Sequence, residues 1–279
     1  MSQRGQSTSD QTPQVSIVIP TYREAENARS LLTRIAEVMR RDGRLYEILI
    51  VDDDSRDGID LVVRDLAAIC PARLITRTGF RDLSQAVMEG MRQARGRLIL
   101  VMDADLSHPP EAIPRLLDAL DKPPTDYVIG SRYVAGGRTR HWDGGRRFNS
   151  FVATLLARPL TGRIKDPMAG LFAIHRSTFE RARGLDPVGY KIGLELLCRC
   201  RCQHPVEVPI TFKERVGGQS KLNLEQQMRY LLHLDRLYRS CAWKWGVLVR
   251  PLLWALLGTL HMYRRLTRLW QQPVNAPQS

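Results

Sequence analysis

The stretch Leu98-Ile99-Leu100-Val101-Met102-Asp103-Ala104-Asp105-Leu106-Ser107-His108-Pro109-Pro110-Glu111 decides the fold class of this chain. Its first five residues are apolar and predict a buried strand, and two carboxylates one residue apart follow directly. Side chains at i and i+2 of extended backbone point the same way, so Asp103 and Asp105 should converge at the carboxyl end of this strand. Open α/β sheets bind ligands at that end. Two hard oxygen ligands there suit a divalent cation that holds the phosphates of a substrate.

Strands and helices alternate around this stretch. Apolar runs predict strands over residues 15–20, 46–51, 73–76, 97–102 and 126–131, and helical spacing predicts helices over 24–41, 57–69 and 82–95. The alternation predicts an α/β protein with a mostly parallel, doubly wound (Rossmann-like) sheet flanked by helices. Beyond Arg132 the pattern is irregular, with helices predicted over 148–160, 189–203 and 223–240 and strands over 170–175 and 206–212.

Polar loops follow three of the predicted strands. Tyr22-Arg23-Glu24 follows the first strand and Asp52-Asp53-Asp54-Ser55 the second, while Asp103 and Asp105 follow the fourth. The carboxyl ends of parallel strands meet at one edge of a sheet. We therefore expect these three loops to form one site.

The length of the chain sets its predicted organisation. A chain of 279 residues can bury the core of one large α/β domain with an appendage, and we assign residues 14–222 and 223–270 to these parts. The polar ends, residues 1–13 and 271–279, are predicted to be disordered tails. Because the first ten residues are polar and the five cysteines are an odd number, we expect neither a secretory signal nor disulfides. A cytoplasmic location follows.

The net charge of +13 favours anionic partners. From Arg229 onward the chain has eight Lys or Arg against one acid, Asp235, together with four of its five tryptophans. Tryptophan beside basic and Leu-rich turns is typical of a membrane interface, so we expect the appendage to meet a membrane surface. Nucleic acid is not an expected partner, because no recognised nucleic-acid-binding module accompanies the charge. The sequence leaves the oligomeric state open.

Residues 246–260 are the one candidate membrane span in the sequence. They are 15 residues long and contain Arg250-Pro251, whereas spanning takes about 20 apolar residues. A central arginine adds roughly 2.5 kcal/mol or more to the cost of insertion. An interfacial helix, or a hairpin bent at that break, is favoured over a span. A helix packed on its own domain or on a second copy is the alternative.

A series of motifs resembles family 2 glycosyltransferases of the polyprenyl-phosphate (dolichyl-phosphate) mannosyltransferase group. Their order along residues 15–222 is the family's own. The motifs are Val18-Ile19-Pro20-Thr21-Tyr22-Arg23-Glu24, Val51-Asp52-Asp53-Asp54-Ser55-Arg56-Asp57-Gly58, the Met102 to Pro110 segment, Gly130-Ser131-Arg132-Tyr133, Trp142 through Arg146 to Ser150, Asp166-Pro167-Met168-Ala169-Gly170, Gly189-Tyr190-Lys191, and Glu207-Val208-Pro209-Ile210-Thr211-Phe212 through Arg215 to Ser220-Lys221.

The resemblance implies a GT-A fold, a divalent metal ion and a role for each matching residue. The nucleoside is bordered by Pro20, Tyr22, Glu24, Val51 and Asp53. The diphosphate and the metal are surrounded by Asp103, Ala104, Asp105 and Ser107, of which Asp103, Asp105 and Ser107 bind Mg²⁺ or Mn²⁺. The donor phosphates are contacted by Arg132, Lys191, Arg215 and Lys221, and the acceptor phosphate by Arg132, Arg146 and Ser150. The catalytic residues are Asp105, Arg132 and Arg146.

The implied reaction moves a hexose, with inversion at the sugar carbon, from a nucleotide sugar to polyprenyl or dolichyl phosphate at the cytoplasmic face of a membrane. The attacking phosphate oxygen is already anionic at neutral pH, so no strong general base is required. Arginines and a metal ion suffice to stabilise the departing nucleoside diphosphate. Mannose from GDP-mannose is the expected donor sugar, because the matching motifs are those of mannosyltransferases.

Three departures from the family pattern leave the sugar open. Asp82-Leu83-Ser84 stands where the family often has Gly-Leu-Gly, Ser107 where many relatives have Gln, and Met168-Ala169 where a Thr-Ser pair occurs. UDP-glucose or a UDP-linked amino sugar is therefore the alternative donor. A catalytically silent membrane adaptor is a further alternative, which the presence of both Asp103 and Asp105 disfavours.

Two more residues have local predictions. His108 precedes two prolines and is predicted to be a turn residue rather than a metal ligand. Glu195 lies one turn beyond Lys191 on a predicted helix, so we expect it to pair with Lys191 or to face the site.

Overall fold

The computed structural model describes residues 12–139, 144–187, 191–213 and 224–270, apart from the side chains of residues 145–148, 224, 243 and 263–270. The predicted tails lie outside the described residues, except for Thr12 and Pro13. The strands are β1 (Val15–Thr21), β2 (Tyr46–Asp52), β3 (Ala72–Thr76), β4 (Leu98–Val101), β5 (Tyr127–Ser131), β6 (Arg138–Thr139), β7 (Phe172–His175), β8 (Pro205–Pro209) and β9 (Thr211–Phe212). The helices are α1 (Ala25–Asp42), α2 (Ile59–Asp65), α3 (Leu83–Gln93), α4 (Ile113–Leu120), α5 (Gly144–Thr161), α6 (Arg176–Glu180), α7 (Ile192–Arg199), α8 (Leu224–Cys241) and α9 (Trp243–Trp270).

A seven-stranded sheet in the order β3-β2-β1-β4-β7-β5-β8 forms the centre of the molecule. Neighbouring strands are parallel except at β7, which runs antiparallel between β4 and β5. The predicted α/β class with a mostly parallel sheet is confirmed. Because Phe172 pairs with Val101 at the end of β4, β7 begins at the carboxyl edge of the sheet. The segment that precedes β7 therefore lies at the same edge as Asp103.

Helices cover both faces of the sheet. Helices α1, α2 and α4 pack on one face through residues such as Ile35 and Leu116, and α3 and α7 pack on the other through residues such as Met91. Burial on both faces explains why the strands appear in the sequence as continuous apolar runs. Helix α3 lies so close to β1 that a Cβ on Gly90 would stand 2.4 Å from the Val18 side chain.

Most predicted elements are present with ends shifted by four residues or fewer, but the strand predicted over 206–212 differs, and α4, α6 and β6 have no counterpart in the sequence prediction. The strand predicted over 206–212 is two strands. Strand β8 ends at Pro209, Ile210 donates its N–H to the Ser131 carbonyl at 3.0 Å, and the chain then pairs as β9 with β6. Helix α4 is absent from the sequence prediction because it has only eight residues and contains Pro114 in its first turn.

Helices α8 and α9 pack against each other and against α5 and α7 around a third apolar cluster. That cluster includes Leu234 and Tyr238 of α8 and Leu253 and Leu257 of α9. The side chains of α8 that face the cluster are buried. Helix α8 is therefore part of the packed body, and α9 lies on top of it.

Helix α9 continues through Arg250 and Pro251. The predicted break at these residues, and with it a hairpin bent there, is wrong. An interior proline costs a helix about 3 kcal/mol or more, and the packing of Leu253 and Leu257 against α8 opposes that cost. Arg250 faces α8, where its Nε donates to Asp235 Oδ1 at 2.7 Å. In the described part of the chain one segment is long and apolar enough to cross a membrane, Lys244–Met262, with mean hydropathy 1.2 and 17% of that window buried.

Candidate active site

The two aspartates after β4 stand on a tight turn at the carboxyl edge of the sheet. Asp103 donates its backbone N–H to Nδ1 of His108 at 3.1 Å, and Asp105 Oδ1 accepts the N–H of Ser107 at 3.1 Å. Leu106, between Asp105 and Ser107, has a φ of +61°. This left-handed conformation costs a non-glycine residue roughly 1–3 kcal/mol. Backbone in such regions persists where its surroundings hold it, and these bonds do so here.

Ser107 tests whether this turn fits a metal ion. Its hydroxyl oxygen is buried and has no hydrogen-bond partner among the described residues. A buried polar atom left without a partner costs about 1–3 kcal/mol, so a ligand is the natural explanation for it. The described residues contain no cluster of three or more His, Cys, Asp and Glu that could hold a metal ion alone. Mg²⁺ typically takes one or two carboxylates and completes its shell with phosphates and water, so Asp103, Asp105 and Ser107 fit such an ion.

A surface depression connects this turn with the loops after β1 and β2. It is lined by Pro20, Thr21, Tyr22, Glu24, Asp53, Arg81, Leu83, Asp103, Ala104 and Asp105. The structure thus brings together seven of the residues that the resemblance assigns to the nucleotide. Val51 is not in the lining, because it is fully buried within β2 and packs against α3. A roomier cavity of about 620 Å³ lies at the opposite edge, beside the start of β1 and β4, and holds neither aspartate.

The three aspartates after β2 differ in their surroundings. Asp52 is buried and accepts hydrogen bonds from Thr21 and Ser55, so it holds the loop. Asp54 is paired with Arg56 in solvent. Only Asp53 faces the depression. Its carboxylate accepts one hydrogen bond from the Arg77 guanidinium and another, at 3.1 Å, from the backbone N–H of Asp82. Burial raises the pKa of Asp53 above its ordinary value, although Arg77 opposes the shift.

Arg132 is held by a buried carboxylate. Its Nε and Nη2 donate to the two oxygens of Asp166, each at 2.7 Å, and its backbone N–H donates to Asp166 at 2.9 Å. The guanidinium also lies over Phe212, which contacts His108 edge to face. Burial disfavours the cation, but the bonds to Asp166 prevail and raise the pKa of Arg132. Arg132 is therefore a fixed positive charge, with two of its nitrogens committed to Asp166.

Lys191 stands in the same group of charges at the start of α7. Its Nζ donates to the Met168 carbonyl at 3.3 Å. Burial, and then repulsion by Arg132, lowers the pKa of Lys191 to about 7, against the opposing pull of Asp166 and Asp103. A bound diphosphate next to this ammonium would supply the negative charge that favours its protonated form.

Glu195 does neither of the two things predicted for it. One oxygen of its buried carboxylate contacts Nε2 of His233 at 2.6 Å, and the other accepts Nε of Arg199 at 3.2 Å. The bond to His233 joins α7 to α8. Sequence spacing cannot reveal this pair, because its two members are 38 residues apart.

Ser150 lies on α5, where its hydroxyl is 2.8 Å from the hydroxyl of Tyr133. The Tyr133 ring lies beside the Arg132 guanidinium, 5.3 Å from ring centroid to guanidinium carbon. The predicted acceptor residues Arg132 and Ser150 are therefore linked through one tyrosine. The Arg146 side chain, Arg215 and Lys221 lie outside the described residues.

Four residues of this region have no role in the sequence analysis: Arg81, Tyr133, Asp166 and, beyond its turn, His108. The last three stand within the matching motifs, so the motifs contain the signal for them. Their partners are visible only in three dimensions. Arg81 lies outside every motif, and the structure alone places it at the depression.

The chain is similar to a known family and to known proteins over most of its length. The profile described as Glycosyl transferase family 2 matches residues 16–183. The chain belongs to glycosyltransferase family 2, and it is an enzyme of sugar transfer, as the resemblance predicts. It is 40% identical over 247 residues to the dolichol-phosphate mannosyltransferase of Pyrococcus furiosus, covering 88% of this chain and 68% of that protein. The polyprenol monophosphomannose synthase of Mycolicibacterium smegmatis is 38% identical over 222 residues, covering 76% and 82%.

Solved structures confirm the fold class. Glucosyl-3-phosphoglycerate synthase from Mycobacterium tuberculosis, crystallised with Mn²⁺, UDP and phosphoglyceric acid, matches with a TM-score of 0.63 and 20% identity, covering 82% of this chain and 79% of that one. The same enzyme with Mg²⁺ and UDP matches with a TM-score of 0.60 and 19% identity, covering 82% and 79%. The chain has the GT-A arrangement, in which helices flank a mostly parallel sheet. Its own C-terminal helix α9 is an appendage to that arrangement.

Proposed function

We propose that this enzyme transfers mannose from GDP-mannose to the phosphate of a polyprenyl or dolichyl phosphate, with inversion at the sugar carbon. The observation that carries the proposal is the identity of 36–41% to relatives named dolichol-phosphate mannosyltransferase, over 80% or more of this chain. The position of Asp103, Asp105 and Ser107 at the end of β4 supports it.

The donor lies along the depression at the carboxyl edge of the sheet. Tyr22, Glu24 and Asp53 border the nucleoside, with Pro20 at the same wall. Asp103, Asp105 and Ser107 hold Mg²⁺ or Mn²⁺, which, when bound, neutralises diphosphate charge and so stabilises the leaving group. Lys191 adds a positive charge whose protonation the diphosphate itself favours.

The reaction is a single displacement. An oxygen of the acceptor phosphate attacks the anomeric carbon, a new carbon–oxygen bond forms, and the bond from that carbon to the diphosphate oxygen breaks. The nucleoside diphosphate leaves with the electron pair. Since the attacking oxygen is already anionic, the task of the protein is to bring two anions together. Arg132, fixed by Asp166, is a preorganised charge for that task, and preorganised charges need no rearrangement during the reaction.

The acceptor phosphate binds at the part of the site formed by Arg132, Tyr133 and α5. Ser150 on α5 contacts Tyr133, whose ring lies beside Arg132, and Arg146 is one turn of α5 earlier. Arg215 and Lys221 follow β9 and are proposed to contact the donor phosphates. Polyprenyl chains lie in membranes, so the enzyme works at a membrane surface, which we propose to be the cytoplasmic face, through the apolar side of α9.

A donor panel tests the proposal. The full chain is incubated with radiolabelled GDP-mannose, UDP-glucose or a UDP-linked amino sugar, a short polyprenyl phosphate and Mg²⁺ or Mn²⁺, and organic-phase label is counted. We expect label from GDP-mannose at about tenfold or more above the others, and loss of the signal on chelation. NMR of the product reports the anomeric configuration. If only a UDP-sugar labels the lipid, GDP-mannose is not the donor. If no donor labels the lipid, polyprenyl phosphate is not the acceptor.

A further inference from the structure

Arg81 is a charged residue of the donor depression to which the motifs assign nothing. It lines the depression together with Tyr22, Glu24 and Asp53, and its guanidinium carbon lies 4.1 Å from the centroid of the Tyr22 ring. A cation over an aromatic face is attracted by the ring quadrupole. The ring therefore orients the Arg81 fork at the wall that borders the nucleoside.

The backbone next to Arg81 is fixed on its carboxyl side. Asp82 donates its N–H to Asp53 Oδ2 at 3.1 Å, and its own carboxylate accepts the N–H of Gln85 at 3.1 Å and so caps α3. Arg81 is exposed, whereas Asp82, which follows it, is buried. A long side chain that is anchored at its base and stacked near its tip loses less entropy when it binds a ligand.

The chemical groups around the depression match one class of base. Guanine presents two neighbouring acceptors, O6 and N7, on one edge, and the planar fork of arginine donates to both. Guanine also presents N–H donors, which carboxylates accept, and Glu24 and Asp53 line the same wall. Of the two carboxylate oxygens of Glu24, only Oε2 has a hydrogen-bond partner among the described residues. It accepts from the side-chain amide of Asn27 at 2.8 Å. A pyrimidine has no pair of acceptors like O6 and N7.

We propose that Arg81 is a specificity-determining residue that selects a guanine nucleotide over a uracil nucleotide by donating two hydrogen bonds to O6 and N7. The proposal rests on the proposed function, because it takes this depression as the donor site. It differs from a role in holding the diphosphate. A diphosphate contact would serve GDP and UDP equally, whereas the base contact serves GDP alone.

The test measures the Kd of GDP, UDP and inorganic pyrophosphate for the full chain in the presence of Mn²⁺, by calorimetry. Arg81→Lys keeps the charge and removes the fork, and Arg81→Gln removes the charge as well. The matched control is Arg23→Lys, because Arg23 is also near the Tyr22 ring, at 5.3 Å, but does not line the depression. We expect Arg81→Lys to raise the Kd of GDP about tenfold and to leave UDP and pyrophosphate within about twofold, the effect of losing one bidentate pair.

Equal loss for GDP and UDP in Arg81→Lys would overturn the proposal in favour of a phosphate contact, and unchanged GDP binding would overturn it outright. Both results leave the proposed function standing if the unaltered protein prefers GDP and transfers mannose. A preference of the unaltered protein for UDP would instead refute the GDP donor. The three outcomes are therefore distinguishable in one set of titrations.

Discussion

Asp105 is a buried carboxylate whose Oδ1 accepts the backbone N–H of Ser107. Asp105→Asn keeps the shape and an acceptor for that bond, but it removes the charge that a cation needs. We expect turnover to fall by about 100-fold or more, as for loss of one strong electrostatic contact to a leaving group. The melting temperature should stay within about 4 °C, because the amide has the same shape and keeps the acceptor for the Ser107 N–H. Turnover is measured with saturating Mn²⁺.

The matched control for Asp105→Asn is Asp54→Asn. Asp54 is also an aspartate in a polar loop at the carboxyl edge, but it is paired with Arg56 in solvent. Turnover of this control should remain within about twofold, as for surface substitutions. Turnover of Asp105→Asn close to that of the unaltered enzyme would contradict the metal role.

Tyr133 links the two parts of the proposed acceptor site, because its hydroxyl contacts Ser150 and its ring lies beside Arg132. Tyr133→Phe removes that hydroxyl and keeps the ring beside Arg132. We expect the KM for polyprenyl phosphate to rise about fivefold to tenfold, the worth of about 1–1.5 kcal/mol for one hydrogen bond, while the KM for the donor is unchanged. Steady-state kinetics in both substrates separates the two constants. The conservative control is Tyr46→Phe, a half-buried tyrosine of β2 away from the site. An unchanged acceptor KM would remove Tyr133 from the acceptor site.

Residues that stand in short motifs can be identified from the sequence, and their contacts are visible only in the structure. The place of Asp103 and Asp105 at the carboxyl edge is predictable because they follow an apolar strand directly, but a tight turn rather than extended backbone holds them there. The Arg132–Asp166 pair is not, because its members are 34 residues apart and meet only when β7 enters the sheet antiparallel. Val51 shows the reverse case. It stands within a motif, and its burial in β2 removes it from the pocket wall.

The same division holds for strands and helices. Strands β1, β2, β4 and β5 are predictable because they are buried on both faces and leave continuous apolar runs. Two short elements are harder, since α4 and β9 owe their conformation to packing and to the pairing of distant strands. The Arg250-Pro251 pair looks like a helix break in the sequence, but Asp235 on a neighbouring helix neutralises the arginine.

The contact between α7 and α8 rests in part on the buried Glu195–His233 pair. Burial raises the pKa of Glu195, but the bond to His233 and the neighbouring charges outweigh it and lower the pKa below its ordinary 4.5. The carboxylate therefore stabilises the fold above pH 4.5, and the contribution is lost as pH falls through the lowered value. Glu195→Gln should lower the free energy of unfolding by about 3–5 kcal/mol near pH 7, because it removes one partner of a buried pair. The deficit should shrink as the pH falls below 4.5.

Urea unfolding at a series of pH values measures this deficit. The control is Glu180→Gln, in which the replaced carboxylate pairs with Arg176 but is 56% exposed. That variant should change stability by less than about 1 kcal/mol. If the loss of unfolding free energy in Glu195→Gln stays the same as the pH falls below 4.5, the charge of Glu195 does not contribute to stability.

The proposal that α9 lies in the plane of a membrane surface concerns the molecule as a whole. One side of α9 packs on α8, which in turn packs on α5 and α7. The other side exposes Trp245, Val247, Leu248, Leu252 and Met262. If α9 crossed the bilayer, it would either separate from α8 or carry the exposed arginines of α8 into the lipid. Each charge buried in lipid is costly. A net charge of +13 adds attraction to anionic lipids.

Removing α9 altogether would uncover the apolar cluster on α8, so point substitutions are the sharper test of this orientation. The double variant Leu248→Glu with Leu252→Glu changes only the exposed side. We expect its partition onto anionic vesicles to fall about tenfold or more, because two apolar side chains lose their burial in the lipid. Turnover with a short, water-soluble polyprenyl phosphate should be unchanged, and turnover with a long-chain acceptor in vesicles should fall. Leu61→Glu, at a leucine of α2 that is 54% exposed, is the control for an added surface charge. If the double variant and this control bind vesicles equally well, α9 does not carry the membrane contact, and the acceptor must reach the site by another surface.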